Sequence, residues 1–548
     1  MTSPLSQDQK GKSLGRLDDE DLLSRVYPSC RSMVDGDTWA WILATCAQDA
    51  GPESFPTTVS LQQGDARVPG FLAELARLEW ILYKLSTEQD DIPRQTEEIV
   101  VNPTLQLLQL AWKHLPFLLK GKKRLTPKEP EPGEEYVLVW RDPETRKVKT
   151  QVATDEDLLV LKVVVEGIDP EKVAAAAALP VGAVDAAIRR GAAKGLLIAP
   201  RSHIRRDPAS FPAAEHQYER FVSSSYFTLQ WHVTQACDLH CKHCYDRSKR
   251  SPLTPAQGLE ILDDLRAFCR DKNVRGQVSF TGGNPLLYPH FSDLYKAASE
   301  RDLAVAILGN PAPREQLEAL LAIQRPVFFQ VSLEGLEEHN NMIRGPGHFQ
   351  RVMKFLKLLR DLGISSKVML TLTKGNMDQV LPLAEILRDS TDDFTFNRLS
   401  MVGEGANLQP PSRENFAEFL KTYMKASEHN PIMGWKDNVI NIVCHENGLE
   451  PFGGCTGYGC GAAFNFMALL SDGEVHACRK FPSLIGNAFK ESLTDIYDSE
   501  EARQYRSGPR SCQGCPIRLV CRGCLAVAYS HGLDVFEDRD PYCFMAFS

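Results

Sequence analysis

The sequence predicts an α/β fold, in which a partial barrel of six βα units lies between an N-terminal helical region and a cysteine-rich C-terminal region. A chain of 548 residues is expected to hold several domains, because single cores seldom exceed about 250 residues. Short β-rich runs alternate with helical segments between residues 226 and 399, which is typical of a parallel sheet. Six units fit an open barrel better than a closed eightfold one. The predicted strands are 227–233, 277–280, 303–308, 327–333, 368–372 and 394–399.

The composition excludes several classes of protein. Hydrophobic residues make up 43% of the chain and charged residues 24%, which excludes a fibrous or wholly disordered protein. The formal net charge of −9 does not favour a nucleic acid or membrane partner. Residues 1–19 lack the apolar segment of a signal peptide, and no run reaches the roughly 18 uncharged apolar residues of a membrane span. We therefore expect a cytoplasmic protein whose 15 cysteines stay reduced and serve metal or redox chemistry.

Residues 1–125 predict a helical N-terminal domain. Apolar residues recur at helical spacing between 71 and 81, and leucines recur between 105 and 119. The basic run 120–124 and the Pro/Glu-rich run 129–135 predict a solvated linker that marks a domain boundary. A nucleic-acid site in the basic run is the lesser alternative, because no aromatic residues are interleaved with it.

Residues 133–203 predict a small winged-helix-like unit. The runs 136–140 and 147–152 form a predicted β-hairpin, which is followed by helices at 155–166, 170–178 and 181–194 and by a short strand at 196–198. By itself this pattern also fits a winged helix with a structural or DNA-binding role.

The first predicted barrel strand is followed by three cysteines, Cys237, Cys241 and Cys244, in the spacing C-x3-C-x2-C. Three cysteines on one loop can bind one four-iron cluster and leave the fourth iron without a protein thiolate. That open iron is a binding site for a cofactor or substrate. A zinc knuckle, with His240 or His243 as the fourth ligand, is the alternative.

This loop, at the end of the first strand of a six-unit αβ pattern, resembles the signature of radical S-adenosylmethionine (SAM) enzymes. The resemblance implies a radical SAM partial (β/α)6 barrel over residues 222–430. It also implies that SAM binds the open iron and is cleaved by one electron to methionine and a 5′-deoxyadenosyl radical. His243 takes the place of the family's usual aromatic residue near the adenine.

Two further segments carry the resemblance. Gly282, Gly283 and Asn284, which follow the second strand, are similar to the family's Gly-Gly-Glu-Pro loop, whose backbone approaches the methionine amino group. Asn284 replaces the usual glutamate, and its neutral amide still offers an acceptor. The segment 330–335, with a downstream arginine, resembles the ribose-side segment of the peptide-modifying branch. This implies that Ser332 and Glu334 contact ribose hydroxyls and that Arg344 meets a carboxylate. The three sites follow strands one, two and four, where βα barrels carry their chemistry.

Eight cysteines lie after residue 450, enough for two four-iron clusters that are fully bound by protein. Their spacing resembles the SPASM auxiliary-cluster domain, here over residues 440–548. The resemblance implies two ligand sets and, with the loop cluster, three [4Fe-4S] clusters in all. A zinc ribbon is the alternative for 512–524 alone. The remaining Cys30, Cys46, Cys269 and Cys444 are expected to be buried thiols. The two ligand sets are Cys455, Cys460, Cys478 and Cys524, and Cys512, Cys515, Cys521 and Cys543.

The resemblance implies an enzyme that modifies a ribosomally synthesised peptide, forming a thioether or related crosslink at or near cysteine residues. Residues 133–203 then resemble the PqqD-like element that binds a leader peptide as an added strand, and a flavodoxin or ferredoxin is the expected electron donor. The Asn284 loop and the long N-terminal extension are similar to the selenobiotic-type, thio(seleno)oxazole-linked maturases. An anaerobic sulfatase-maturase-like enzyme and a non-catalytic iron–sulfur electron carrier are the alternatives. The first is disfavoured because Arg479 follows Cys478 where those enzymes carry an aspartate base.

Overall fold

The computed structural model describes residues 22–46, 51–88, 91–119, 128–211 and 216–546. The chain divides into two compact units, one of residues 1–179 and 184–201 and the other of residues 180–183 and 202–548. The basic run predicted as a linker at 120–124 lies outside the described residues. No helix in the described ranges is long and apolar enough to cross a membrane.

The first unit is built around a three-stranded antiparallel sheet in the order β2–β3–β4, with a short ladder between β1 and β5 beside it. The predicted hairpin is confirmed as β3 and β4, and the predicted helices after it are confirmed to within two residues at each end. Its strands are β1 Val100–Val101, β2 Gln106–Lys113, β3 Glu131–Arg141, β4 Val148–Val152 and β5 Leu197–Ile198. Its helices are α1 Pro28–Ser32, α2 Gly36–Thr45, α3 Phe55–Ser60, α4 Leu72–Thr87, α5 Asp155–Glu166, α6 Pro170–Ala176 and α7 Ala183–Lys194.

The continuous apolar run of β3 is explained by burial of both faces of the sheet. Val137 and Val139 belong to the core formed with α1–α4, whereas Leu138 and Trp140 belong to the core formed with α5 and α7. All four side chains are at most 2% exposed. The N-terminal helices therefore cover one face of the sheet, and the helices of the winged-helix-like segment cover the other.

The helix predicted over residues 105–119 is wrong. Residues 106–113 form strand β2, followed by a short 3₁₀ turn at Leu115–Leu118. Leu108 and Leu110 are buried and Leu107 is 49% exposed, so burial alternates with the period of a strand. The predicted linker is also shorter than expected, because β3 already begins at Glu131. Pairing of β2 with β3 overrides the local pattern and joins the region predicted as 1–125 to the sheet of the region predicted as 133–203.

The second unit is built on a nine-stranded sheet in the order β11–β10–β9–β8–β7–β6–β12–β13–β14. Strands β6 to β11 are parallel to one another, which confirms the six predicted strands. Strand β12, from the cysteine-rich region, pairs in parallel with β6 and continues into an antiparallel β13–β14 hairpin. The strands are β6 Tyr226–Thr234, β7 Arg275–Gly282, β8 Ala304–Leu308, β9 Phe329–Ser332, β10 Ser366–Leu372, β11 Asp393–Arg398, β12 Phe466–Leu469, β13 Glu474–His476 and β14 Leu484–Asn487.

Helices connect the parallel strands, so the carboxyl ends of all six meet at one edge of the sheet. The first of these helices begins with Thr254 as its capping residue, Gln257 completing the capping box and Pro255 at its first position. The helices are α8 Pro255–Asp271, α9 Phe291–Glu300, α10 Arg314–Ile323, α11 Glu337–Arg344, α12 His348–Asp361, α13 Val380–Leu387, α14 Phe416–Ser427, α15 Ile440–Glu446, α16 Leu493–Asp498, α17 Glu500–Ser507 and α18 Leu525–Ser530.

One hydrophobic core runs through the barrel and the cysteine-rich region. It includes Trp231 and Phe280 from the first two barrel strands and Ile442, Met467 and Val520 from the C-terminal region. The segments predicted as 222–430 and 440–548 thus share a core and a sheet, which holds the C-terminal cysteines close to the edge where the barrel strands end.

Candidate active site

A cavity of about 360 Å³ opens at the carboxyl ends of the barrel strands. Most of the site residues that the sequence predicted for the cofactor line this cavity, although they come from loops after three different strands. Asn284 and Glu334 are not among its lining residues and lie behind the wall. The predicted residues on the wall are Cys237, Cys241, His243, Cys244, Gly282, Gly283, Ser332 and Arg344.

The Gly-Gly loop is clamped against the backbone of the cysteine loop. A Cβ atom on Gly282 would lie 2.2 Å from the carbonyl oxygen of Thr234, and one on Gly283 would lie 2.2 Å from that of Ala236. The Gly283 and Asn284 amides donate hydrogen bonds to the same two carbonyls, at 2.9 and 2.7 Å. The absence of side chains therefore serves contact between the two loops, a role that the sequence alone did not indicate.

Asn284 holds a carboxylate of the cysteine loop. Its Nδ2 donates to Asp238 Oδ1 at 3.0 Å, and its Oδ1 accepts from the Leu286 amide at 3.3 Å. Asn310, which follows β8, donates to the same Asp238 oxygen at 2.6 Å and lies 3.7 Å from Cys237 Sγ. Asp238 and Asn310 were not predicted from the sequence, although the position of Asn310 just beyond a barrel strand was a usable signal.

Glu334 is a buried counter-charge. It is 1% exposed, and its Oε1 accepts from Arg344 Nε and Nη2 at 2.9 and 2.6 Å. Its Oε2 accepts from the Thr371 amide at 2.8 Å, and His243 Nε2 lies 2.8 Å from Oε1. Although burial opposes ionisation, His243 and Arg344 hold the pKa of Glu334 well below its usual range. Its oxygens are thus engaged by protein groups in this structure.

Arg344 links this counter-charge to the cysteine loop. Its remaining Nη1 donates to Cys241 Sγ at 3.7 Å. Burial raises the pKa of the Cys241 thiol, and the nearby Arg344 guanidinium acts in the opposite direction. A cation beside this sulfur favours the thiolate form that binds iron.

The eight C-terminal cysteines separate into two groups of four. Cys455, Cys460, Cys478 and Cys524 line a cavity of about 100 Å³, and Cys512, Cys515, Cys521 and Cys543 line another cavity. These are the two sets that the resemblance implies. Within the described ranges, no three His, Cys, Asp or Glu side chains meet the geometry of a single-ion site. The other cysteines lie outside both cavities, with Cys30, Cys269 and Cys444 buried and Cys46 half-buried.

The surroundings of these cavities fit anionic clusters. Arg518 and Arg522 line the second cavity, and Arg206 and Arg522 both donate to the Cys460 carbonyl. The buried atoms Arg206 Nε, Arg518 Nε and Arg522 Nη1 have no hydrogen-bond partner among the described residues. Buried guanidinium groups need a compensating negative charge. Thiolate-bound clusters beside them would supply it, because coordinated thiols are deprotonated.

The active cavity and the first four-cysteine cavity share part of their walls. Asn397, Arg398, Arg479 and Lys480 line both. Arg398, at the end of the sixth barrel strand, is 1% exposed and pairs with Asp437 and Asp540 at 2.6 and 2.7 Å. Asp540 also accepts from the Cys524 amide at 2.7 Å. Arg398 thus connects the barrel to a cysteine of the C-terminal region.

Comparison with protein families matches both halves of this site. Residues 231–387 match the radical SAM superfamily, and residues 460–516 match SPASM, an iron–sulfur cluster-binding domain.

Three curated relatives show the range of similar proteins. The antilisterial bacteriocin subtilosin biosynthesis protein AlbA of Bacillus subtilis is 25% identical over 53% of this chain and 65% of its own length. The AdoMet-dependent heme synthase of Methanosarcina barkeri is 24% identical over 58% of this chain and 95% of its own. The mycofactocin maturase MftC of Mycolicibacterium smegmatis is 27% identical over 61% and 86%. The chain therefore spans just under two thirds of the first relative.

Proposed function

We propose that this chain, which carries a radical SAM domain and a SPASM iron–sulfur domain, modifies a ribosomally synthesised peptide by forming a thioether or related crosslink at or near cysteine residues. One observation carries the proposal. The cysteine loop, the Gly-Gly loop and Ser332 converge on a cavity that shares a wall with a second site of four cysteines. An electron carrier has no need of such a cavity beside its cluster.

Three clusters fit this chain. Cys237, Cys241 and Cys244 would hold the first cluster and leave one iron for SAM, and the two sets of four cysteines would hold two auxiliary clusters. When bound, SAM and the first cluster supply hydrogen-atom abstraction from an unreactive carbon. The auxiliary clusters, bound by four thiolates each, would accept an electron without contacting the substrate. A flavodoxin or ferredoxin is the proposed donor.

The protein groups of the active cavity position the cofactor. Gly282 and Gly283 fix the cysteine loop through the backbone contacts described above, and Ser332 offers a hydroxyl to the cavity. We assign to Glu334 the positioning of His243 and Arg344, because its oxygens are engaged by protein donors. Arg344 keeps one guanidinium nitrogen near Cys241, where it can meet a carboxylate of SAM.

A peptide is favoured over a small molecule by the sheet of the first unit. Strand β4 is the last strand of this sheet in the described part of the chain. In the β3–β4 ladder, the Ala153 amide donates to the Tyr136 carbonyl, and the Asp142 amide donates to the Lys147 carbonyl. Because successive amides of a strand point to opposite sides, the Val148 and Val152 amides point away from β3. A cavity of about 480 Å³ lies along β4, lined by Leu82, Leu119, Trp140, Lys194 and residues 148–151.

An open strand edge beside a cavity that offers both apolar and polar side chains is the arrangement that binds an extended peptide by strand addition. We assign it to a leader peptide, bound within residues 133–203 with Leu82 of α4 and Leu119 on the cavity wall. The bacteriocin biosynthesis protein among the relatives supports this class of substrate. The heme synthase represents the alternative, a small-molecule substrate.

The proposal is tested by anaerobic reconstitution with iron and sulfide, followed by incubation with SAM, dithionite and a small cysteine-containing peptide encoded next to the gene. We expect about twelve irons per chain, deoxyadenosine, and a peptide lighter by two hydrogens, since a new C–S bond removes one hydrogen from carbon and one from sulfur. About four irons per chain, or no SAM cleavage, would contradict it.

A further inference from the structure

Arg479 is directed toward the active cavity, although it follows a cysteine of the auxiliary site. Its Nη1 donates to the Thr281 hydroxyl at 3.4 Å, and its guanidinium lies 5.9 Å from the centre of the Tyr245 ring. Thr281 and Tyr245 both line the active cavity. The guanidinium lowers the pKa of buried His232, where it adds to the larger effect of burial. Its charge therefore acts on this cavity.

The other arginines of the cavity wall already have carboxylate partners. Arg344 pairs with Glu334 at 2.6 Å, Arg398 pairs with Asp437 and Asp540, and Arg247 lies 3.9 Å from Glu404. In the part of the chain that the structure describes, no carboxylate lies within 4 Å of Arg479 or of the neighbouring Lys480.

Arg479 and Lys480 both line the active cavity and the first four-cysteine cavity. Of these two side chains, Arg479 is the one that donates a hydrogen bond to a side chain of the active cavity within the described residues, through the Thr281 hydroxyl. Arg479 is therefore a cation of the active cavity for which the described residues provide no counter-charge.

We infer that Arg479 binds a carboxylate of the peptide substrate and thereby places the reacting residue in the cavity, an inference that rests on the proposed function. The segment that enters the cavity would carry an Asp or Glu side chain, or end at the peptide's own C-terminus. A guanidinium binds a carboxylate through two parallel hydrogen bonds, so it fixes orientation as well as position. Since a hydrogen bond to a charged group contributes about 1.5–3 kcal/mol, losing it should weaken peptide binding about 10- to 100-fold.

The test uses the reconstituted enzyme and the peptide encoded beside the gene. Arg479→Gln removes the charge, Arg479→Lys keeps the charge but loses the paired geometry, and Arg503→Gln is the matched control, since Arg503 is 60% exposed on α17. The peptides are the native one, one with each acidic side chain changed singly to its amide, and one with a C-terminal amide. Labelled-peptide anisotropy gives Kd, and product formation gives kcat and KM.

We expect Arg479→Gln to raise Kd and KM for the native peptide about 10- to 100-fold, Arg479→Lys to recover part of the loss, and Arg503→Gln to have no effect. One of the neutralised peptides should bind the wild-type enzyme as weakly as the native peptide binds Arg479→Gln, and it should bind Arg479→Gln no more weakly than that. The position of the amide in that peptide identifies the carboxylate that binds Arg479, either an acidic side chain or the C-terminus.

Two results would overturn the inference. One is that every neutralised peptide binds as tightly as the native one. The other is that Arg479→Gln weakens SAM binding or changes the cluster EPR signals in the absence of peptide, which would assign Arg479 to the cofactor or a cluster. If the wild-type enzyme binds the peptide but does not modify it, the proposed function fails, whereas the Kd series still decides on Arg479.

Discussion

Restoring the glutamate of the radical SAM Gly-Gly-Glu-Pro loop should damage this protein. In Asn284→Glu, a carboxylate replaces the amide that donates to Asp238 at 3.0 Å. Two like charges at this distance repel by about 1.4 kcal/mol at the dielectric constant of water and by about 5.5 kcal/mol at an effective value of 20. Asn284 is buried and Asp238 is exposed, so we expect an intermediate cost of about 3 kcal/mol.

The charge can be separated from the size of the side chain. Asn284→Gln has the length of glutamate without its charge and keeps an amide donor for Asp238. Asp238→Asn combined with Asn284→Glu exchanges the two groups and restores an amide–carboxylate pair. We expect Asn284→Glu to lower the midpoint of anaerobic urea unfolding and the iron content of the cysteine loop, Asn284→Gln to have a small effect, and the double variant to recover most of the loss.

The measurements are urea unfolding followed by intrinsic fluorescence, iron per chain, and SAM cleavage without peptide. Two results would contradict this expectation: equal values for Asn284→Glu and Asn284→Gln in all three measurements, or no recovery when Asp238→Asn is added. Either result would mean that the Asn284–Asp238 contact makes no electrostatic contribution to stability. The presence of asparagine instead of glutamate at position 284 would then need another explanation.

In Gly283→Ala, the new Cβ would lie 2.2 Å from the Ala236 carbonyl oxygen, so the cysteine loop must move by about 1.2 Å to reach an ordinary contact of 3.4 Å. We expect SAM cleavage to fall about 100-fold. The control Gly64→Ala, whose Cβ meets no atom within 4 Å, should leave SAM cleavage unchanged. Val152→Pro removes an amide of β4 that points away from β3. Leader-peptide affinity measured by anisotropy should fall about tenfold, and SAM cleavage should not change. If the variant binds the leader as tightly as the wild type, the β4 edge is not the binding site. Arg518→Gln removes a cation beside the second cysteine cavity. In an EPR redox titration, the reduction potential of one auxiliary cluster should fall by about 60 mV for each 1.4 kcal/mol of electrostatic stabilisation that the reduced cluster loses. An unchanged potential would contradict the placement of a cluster in this cavity.

Local patterns made much of the fold predictable. The six strands and the β3–β4 hairpin are each encoded within a few adjacent residues. The error over residues 105–119 has the opposite origin. Their leucines fit either period, and pairing with β3, about 25 residues away, decides for a strand. Propensity is a weak guide when tertiary contacts compete with it.

In the candidate site too, the features that are contiguous in sequence were predictable and the contacts between distant residues were not. The cysteine loop and the Gly-Gly loop could be found because each is contiguous in sequence. The hydrogen-bond partners that determine what a side chain does are distant in sequence. Glu334 accepts a hydrogen bond from the Thr371 amide, and Asn284 donates one to Asp238, which is 46 residues away. Sequence spacing therefore located Glu334 at the site, but it did not indicate that protein donors engage both of its oxygens.

The buried ion pairs of Arg398 connect the barrel wall of the active cavity to acidic residues that lie beyond the barrel. Arg398 is 1% exposed, and both of its acids, Asp437 and Asp540, come from beyond the barrel. Without them a buried charge would be left unpaired at the end of the sixth strand, at a cost of about 3–5 kcal/mol. The same region supplies Arg479 and Lys480 to the cavity wall. The barrel strands end at a cavity whose wall is completed by residues that follow an auxiliary cysteine, so one segment lines both the active cavity and the first four-cysteine cavity.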